Sequence, residues 1–241
     1  MTGPLLIGLD FDGTLAPFVE NPSESRMTQA ARAAYVQACT APDVAVALIS
    51  GRDLENLVSV AQPLPGTYLV GSHGAESGRV LEDGTVEEHL VHLSPQQAAQ
   101  LEALQGGFTQ IAEQYPGAWV QEKPAAIVLH TRPCSEEDDA DATAAAVSAA
   151  TDLGVPPMVG KKVVEASVIE TNKGIALTAL RELTGAGRVV FAGDDVTDET
   201  AFAVLQPGDL GIKVGSGPTL ATRRVSDANA LAAELAALLT R

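Results

Sequence analysis

Residues 5–17, LLIGLDFDGTLAP, constrain this chain more than any other stretch. An apolar run with β propensity stops abruptly at two carboxylates spaced i, i+2, Asp10 and Asp12, followed at once by Gly13 and Thr14. A strand apolar along its whole length belongs in a parallel sheet covered on both faces. In such a sheet ligands sit outside the carboxyl ends of the strands, so Asp10 is expected to point into a cleft while Phe11 packs away from it. There Asp10 could attack a phosphorus atom, Asp12 could move a proton, and both could help hold a hard cation. The plainer reading, a strand ending in an Asp-Gly turn, stays open on these residues alone.

The rest of the chain repeats the pattern. Strand signals over 5–11, 44–50 and 67–70 alternate with helix signals over 28–40 and 53–62. The alternation returns as a helix over 173–183, a strand over 188–194, a helix over 198–205, a strand over 210–214 and a helix over 228–239. The middle differs: a hairpin over 79–93 around Asp83-Gly84, a helix over 95–115, strands over 118–123 and 125–132, an Ala-rich helix over 136–153 and a strand over 161–168. The expected architecture is therefore α/β, a doubly wound parallel-sheet core made of residues 1–77 and 161–241, interrupted by an α+β module at 78–160 that could cover the cleft.

Charge narrows the partners. With 15 Lys plus Arg against 31 Asp plus Glu, the net charge of -16 repels polyanions, so neither nucleic acid nor an anionic membrane surface is expected as a partner. An anionic small substrate would need a local positive site. No apolar run reaches membrane-spanning length, and residues 1–4 show no basic region or cleavage site, so a soluble, cytoplasmic protein is expected, a monomer with a dimer as the alternative. Cys39 and Cys134 lack metal-ligand spacing and predict no disulfide framework.

Two further strand ends add chemistry. VAVALI stops at Ser50-Gly51-Arg52, a hydroxyl and a cation that could equally be an ordinary helix N-cap. RVVFAG stops at Asp194-Asp195 with Asp198 close behind, too many acids for capping alone, and crowded carboxylates without Cys or paired His suit Mg²⁺. Lys173 opens a helix, where the N-terminus already favours anions; by itself it reads as a surface lysine. Together these groups make a phosphoryl-transfer site, with a carboxylate nucleophile, metal-binding acids, a hydroxyl and a lysine at one sheet edge.

At this point the motifs DFDGT, SGR, NKG and GDDVTDE, in that order, resemble those of the haloacid dehalogenase superfamily of Mg²⁺-dependent aspartyl phosphatases. DFDGTLAP, ALISGR, GSHGAE, KxVVE before NKG, GDDVTDE and IKVGSG resemble its trehalose-6-phosphate phosphatase family. The resemblance implies Asp10 as nucleophile and metal ligand, Asp12 as acid/base and carbonyl ligand, and Asp194 as the remaining protein ligand, supported by Asp195 and Asp198. It implies that Thr14, Ser50 and Lys173 hold the phosphoryl group, with Gly13, Gly51 and Arg52 close to the substrate. Lys123, His130 and Glu165 of the cap, with His73 and Glu76 at its junction, are implied to read a small-molecule sugar phosphate. Two departures stand out: Gln121 lies where relatives often carry Glu, and 166–170 lacks the basic-Pro step common before NKG. Sucrose-phosphate or mannosyl-phosphoglycerate phosphatases and sugar phosphomutases share this core. A receiver-like phosphoacceptor and a non-catalytic sugar binder are the rivals from other classes.

Overall fold

The computed structural model describes residues 3–89 and 93–240. The chain divides into two compact units, Met1–His89 with Thr171–Arg241, and Leu90–Glu170.

The first unit is built on eight strands: β1 (Leu5–Leu9), β2 (Val44–Ile49), β3 (Tyr68–Gly71), β4 (Glu76–Val80), β5 (Val86–His89), and, after the second unit, three strands that carry the numbers β10 to β12 in chain order: β10 (Arg188–Gly193), β11 (Leu210–Val214) and β12 (Arg223–Val225). Their order is β12-β11-β10-β1-β2-β3-β4-β5. The first six in this order are mutually parallel, with Leu9 opposite Ala192 on one side and Leu48 on the other. Among the described residues five α-helices pack on the sheet: α1 (Gln29–Thr40), α2 (Leu54–Ala61), α5 (Lys173–Thr184), α6 (Glu199–Ala203) and α7 (Ala228–Leu239). Thr28, Asp53, Asn172 and Asp227 cap four of them, each accepting a main-chain N–H from the first turn.

The alternation of side chains along β1 decides where the chemistry goes. Ile7, Leu9 and Phe11 pack into the core shared with Tyr35, Leu57, Leu231 and Leu235 of α1, α2 and α7. Leu6 packs into the opposite core with Leu177 of α5, Phe191 and Phe202. Period two therefore sends Asp10 to the α5 side and Phe11 away from it, as expected.

The second unit holds α3 (Pro95–Gln114), β6 (Trp119–Lys123), β7 (Ala126–His130), α4 (Glu136–Asp152), β8 (Pro157–Gly160) and β9 (Val163–Ser167). Its strands form an antiparallel sheet in the order β6-β7-β9-β8. Ile127, Leu129, Val164 and Ala166 pack on one face against Leu104 and Phe108 of α3 and Ala142, Ala146 and Ala150 of α4.

Both expected boundaries move. The hairpin expected in the inserted module, of which residues 90–92 lie outside the described residues, instead extends the core sheet, because β4 pairs antiparallel with β3, Val70 facing Ser77. The strand expected to reopen the core, β9, is central in the second sheet, flanked by β7 and by β8, which the sequence reading missed. A short amphipathic strand fits either sheet, and only its pairing partner decides. No helix among the described residues is long and apolar enough to cross a membrane, and Cys39 and Cys134 are free thiols.

Candidate active site

Asp10 follows β1 directly, its N–H held by the Ala192 carbonyl of β10 (2.9 Å). Its carboxylate is almost fully buried. Lys173, the first residue of α5, reaches Asp10 Oδ1 at 2.7 Å and Asp198 Oδ1 at the same distance, a buried cation bridging two buried acids. Asp10 Oδ2 is buried with no hydrogen-bond donor against it. Burial pushes the Asp10 carboxyl up to about 7, with Asp198 and Asp194 adding to the rise and Lys173 opposing it. At Lys173, burial works against the ammonium, but the charges of Asp10 and Asp198 prevail and hold it above its ordinary range.

Asp198 is wholly engaged. Beyond Lys173, its Oδ2 accepts the main-chain N–H groups of Asp194 and Asp195, both at 2.9 Å, closing the tight turn after β10. Asp195 is exposed and caps that turn through the Val196 N–H. Asp194 is placed from three directions. Thr14 Oγ1 donates to its Oδ1 (3.2 Å), Asp198 takes its N–H, and the buried Lys213 ammonium of β11 donates to its carbonyl at 2.6 Å. Lys213 stands 3.7 Å from Glu199. Burial, and then the Asp198 charge, raise the Asp194 carboxyl.

Carboxylate oxygens of Asp10, Asp194 and Asp198 all lie within 4.8 Å of one another. A donor set of carboxylate oxygens alone fits a hard divalent cation. Asp198, already taken by Lys173 and two N–H groups, is better suited to brace the loop than to bind directly.

Ser50 is buried at the end of β2, its Oγ accepting the Arg52 N–H (3.2 Å). Arg52 grips Asp12 with Nε at 2.5 Å and Nη2 at 2.8 Å, and Ser25 Oγ donates to the same carboxylate at 2.9 Å. That hydrogen-bonded pairing with Asp12 raises the Arg52 guanidinium further. Gly13, at φ +81°, lies against the Asp194 carboxylate, which any Cβ would strike, and a Cβ on Gly51 would meet the His73 ring. Asp10, Asp12, Ser50, Gly51, Arg52, His73, Lys173, Asp194 and Asp195 line one cleft of about 440 Å³, joined by Phe18, Val19, Pro22 and Thr197.

Two expected contacts lie elsewhere. Thr14 is fully buried and orients Asp194 instead of lining the cleft. Glu76 accepts the Leu54 N–H (2.7 Å) and the Ser72 hydroxyl (3.1 Å), bracing the start of α2. His73 sits in the left-handed region at φ 56°, its N–H on the Ser50 carbonyl and its own carbonyl accepting from Thr171. Sequence reasoning missed Ser25 and Lys213. Ser25 carries no local signal, whereas an unpaired Lys in the apolar strand LGIKV is a cue that it has a buried partner.

In the second unit, Gln121, Lys123, His130 and Glu165 share the sheet face opposite the helices. Gln121 Oε1 meets His130 Nε2 at 3.0 Å, and Lys123 pairs with Glu165 at 3.1 Å. Burial, with the nearby Lys123 and Arg132 charges, lowers the His130 imidazole.

The trehalose-phosphatase family model matches residues 8–234. The chain is 36% identical over 220 residues to trehalose-6-phosphate phosphatase of Escherichia coli (strain K12), covering 90% of this chain and 80% of that one. It is 33% identical over 214 residues to trehalose-phosphate phosphatase of Mycobacterium marinum, spanning 85% of this chain and about half (52%) of that longer relative. A crystal structure of a trehalose-6-phosphate phosphatase related protein superposes with a TM-score of 0.69 at 25% identity, covering 98% of this chain and 97% of that one.

Proposed function

Since the chain belongs to the trehalose-phosphatase family of phosphoric monoester hydrolases, we propose that it hydrolyses trehalose 6-phosphate to trehalose and phosphate through a covalent phosphate ester on Asp10. The observation that carries this reading is the buried Lys173 bridge. It fixes Asp10 through Oδ1 and leaves Oδ2, the oxygen without a donor, as the nucleophilic atom in a cleft lined by Asp12 and Ser50.

In the first step Asp10 Oδ2 attacks phosphorus as the bond to the sugar oxygen breaks, and Asp12 delivers a proton to that oxygen. In the second, Asp12 takes a proton from the water that attacks phosphorus, phosphate leaves, and Asp10 regains its electron pair. Asp12 now has both oxygens engaged, by Arg52 and Ser25. Proton transfer therefore requires one of these contacts to yield, and an anionic substrate arriving beside Arg52 is suited to draw the guanidinium away. Lys173 and the Ser50 hydroxyl stand ready to receive phosphoryl oxygens. Asp10, Asp194 and the Asp12 carbonyl are the residues that would hold Mg²⁺, which when bound supplies charge neutralisation for the phosphoryl oxygens.

The test is phosphate release from a panel of trehalose 6-phosphate, sucrose 6-phosphate and glucose 6-phosphate, with Mg²⁺ and with chelator. Trehalose 6-phosphate is expected to give the highest kcat/KM, and only with the metal. Equal turnover of the other esters would overturn the substrate assignment.

A further inference from the structure

Lys213 is the one charge in β11, and the pleat of that strand decides where it goes. Ile212 and Val214 pack into the core shared with α1, α2 and α7. Lys213, between them, therefore points to the opposite face of the sheet, where Ala201 and Phe202 of α6 are packed. It lies opposite Gly193, the last residue of β10, is 4% exposed, and donates to the Asp194 carbonyl at 2.6 Å. Glu199, the first residue of α6, meets it there. Its Oε1, buried and without a hydrogen bond, stands 3.7 Å from Lys213 Nζ, and its Oε2 accepts the Leu220 main-chain N–H at 2.7 Å.

One carboxylate thus joins the segments that follow two neighbouring strands. The loop after β11 is fixed by Arg224, which donates to the carbonyls of Gly215 and Gly217, both at 2.6 Å, and by Glu199 at Leu220. The turn after β10 carries Asp194, a carboxylate of the acidic cluster. A buried ammonium beside the main chain of a metal ligand has two opposed effects. Its hydrogen bond fixes the carbonyl, and with it the direction of the ligand side chain, whereas its charge opposes a second cation nearby. The distances divide these tasks: the directed bond goes to the Asp194 carbonyl, and Glu199, further off, meets only the charge. Held in turn by Leu220, Glu199 offsets that charge while leaving the ammonium aimed at the turn.

We propose that Glu199 is a positioning residue of the metal site. It neutralises the buried Lys213 ammonium, so that Lys213 can orient Asp194 through its carbonyl without repelling the divalent cation that Asp194 receives. The proposal rests on the reading above in which Asp10, Asp194 and the Asp12 carbonyl hold Mg²⁺, and it adds to that reading a residue outside the acidic cluster. Glu199 acts on the metal only through Lys213 and takes no part in bond making.

The test is calorimetric titration of the full-length protein with Mg²⁺, without substrate. Glu199→Gln keeps an acceptor for the Leu220 N–H and removes the charge, and it is expected to raise the Kd for Mg²⁺ about tenfold. In a Lys213→Met background the same substitution is expected to change Kd by less than about twofold, because the group through which it acts is gone. Glu199→Asp, which keeps the charge on a shorter arm, is expected to bind Mg²⁺ more tightly than Glu199→Gln. A Glu199→Gln Kd equal to wild type, or a Glu199→Asp Kd weaker than that of Glu199→Gln, overturns the proposal. So does the same rise with and without Lys213, which would place the effect in the Leu220 contact. Each of these leaves the metal assignment standing. A wild-type protein that binds no Mg²⁺ in the titration overturns the metal assignment itself, and with it the proposal.

Discussion

The two sheets of this protein hold their polar side chains by different means. At the strand ends of the first unit, Asp10, Asp194 and Asp198 are fixed by main-chain N–H groups, by Thr14 and by the buried ammonium groups of Lys173 and Lys213. On the helix-free face of the second, Gln121 leans on His130, Lys123 leans on Glu165, and all four remain partly exposed. Groups locked to the backbone are preorganised, as stabilising a transition state requires. Side chains that hold only each other are exchanged with little effect on the fold, as variation in substrate choice requires. On the expectation from the family resemblance that the second face reads the sugar, substitutions in the first unit act on kcat or on the metal, and those in the second act on KM.

Breaking the Lys173 bridge should have the largest effect. Lys173→Met leaves two buried carboxylates without their cation, so kcat is expected to fall about 10³-fold and the protein to lose about 3–5 kcal/mol of stability; kinetics and chemical denaturation check the two parts. Lys213→Met should act one step further out, through the Asp194 carbonyl. The Mg²⁺ concentration for half-maximal activity and the Kd for Mg²⁺ by calorimetry should both rise about tenfold or more, with Lys213→Arg recovering part of the loss. In the second unit Lys123→Met should raise KM for the sugar phosphate about tenfold and change kcat little. A fall in kcat as large as that of Lys173→Met would erase the contrast between the two sheets.

A further effect concerns stability without metal. The Asp10 carboxyl lies at about 7 in the fold against 3.8 ordinarily. Below 3.8 it is protonated whether folded or unfolded and contributes no difference. As pH rises toward 7 the unfolded chain ionises first, so the fold progressively loses stability, and above 7 that loss is complete. Asp10→Asn removes the group, so in chelator the variant should melt several degrees above wild type at pH 8, and the gap should close toward pH 4. A gap that widens in acid would contradict the sign.

Much of the first unit was legible because its strands announce themselves at both levels. LLIGL, VAVALI and RVVFAG are too apolar to be anything but buried, and each stops at residues with chemistry. Asp10, Ser50, Lys173 and Asp194 accordingly meet in one cleft. Less legible was the division of labour among the acids. Asp198 stands in the same run as Asp194, yet its Oδ2 closes the turn and its Oδ1 holds Lys173. Glu76 looked like a polar junction residue and instead braces α2, because which N–H a carboxylate meets depends on tertiary approach and leaves no mark nearby in sequence. The boundaries failed for the same reason: β4 and β9 carry ordinary amphipathic patterns, and their sheets are chosen by partners far along the chain.

The central claim is that Asp10 carries the phosphoryl group between the two steps. Rapid mixing of the protein with Mg²⁺ and ³²P-labelled trehalose 6-phosphate, quenched in acid within one turnover, should leave label on the peptide containing Asp10. Hydroxylamine should release that label, as expected for an acyl phosphate, and Asp10→Asn should carry none. Steady turnover with no label on that peptide at any quench time, or full activity in Asp10→Asn, would contradict the account.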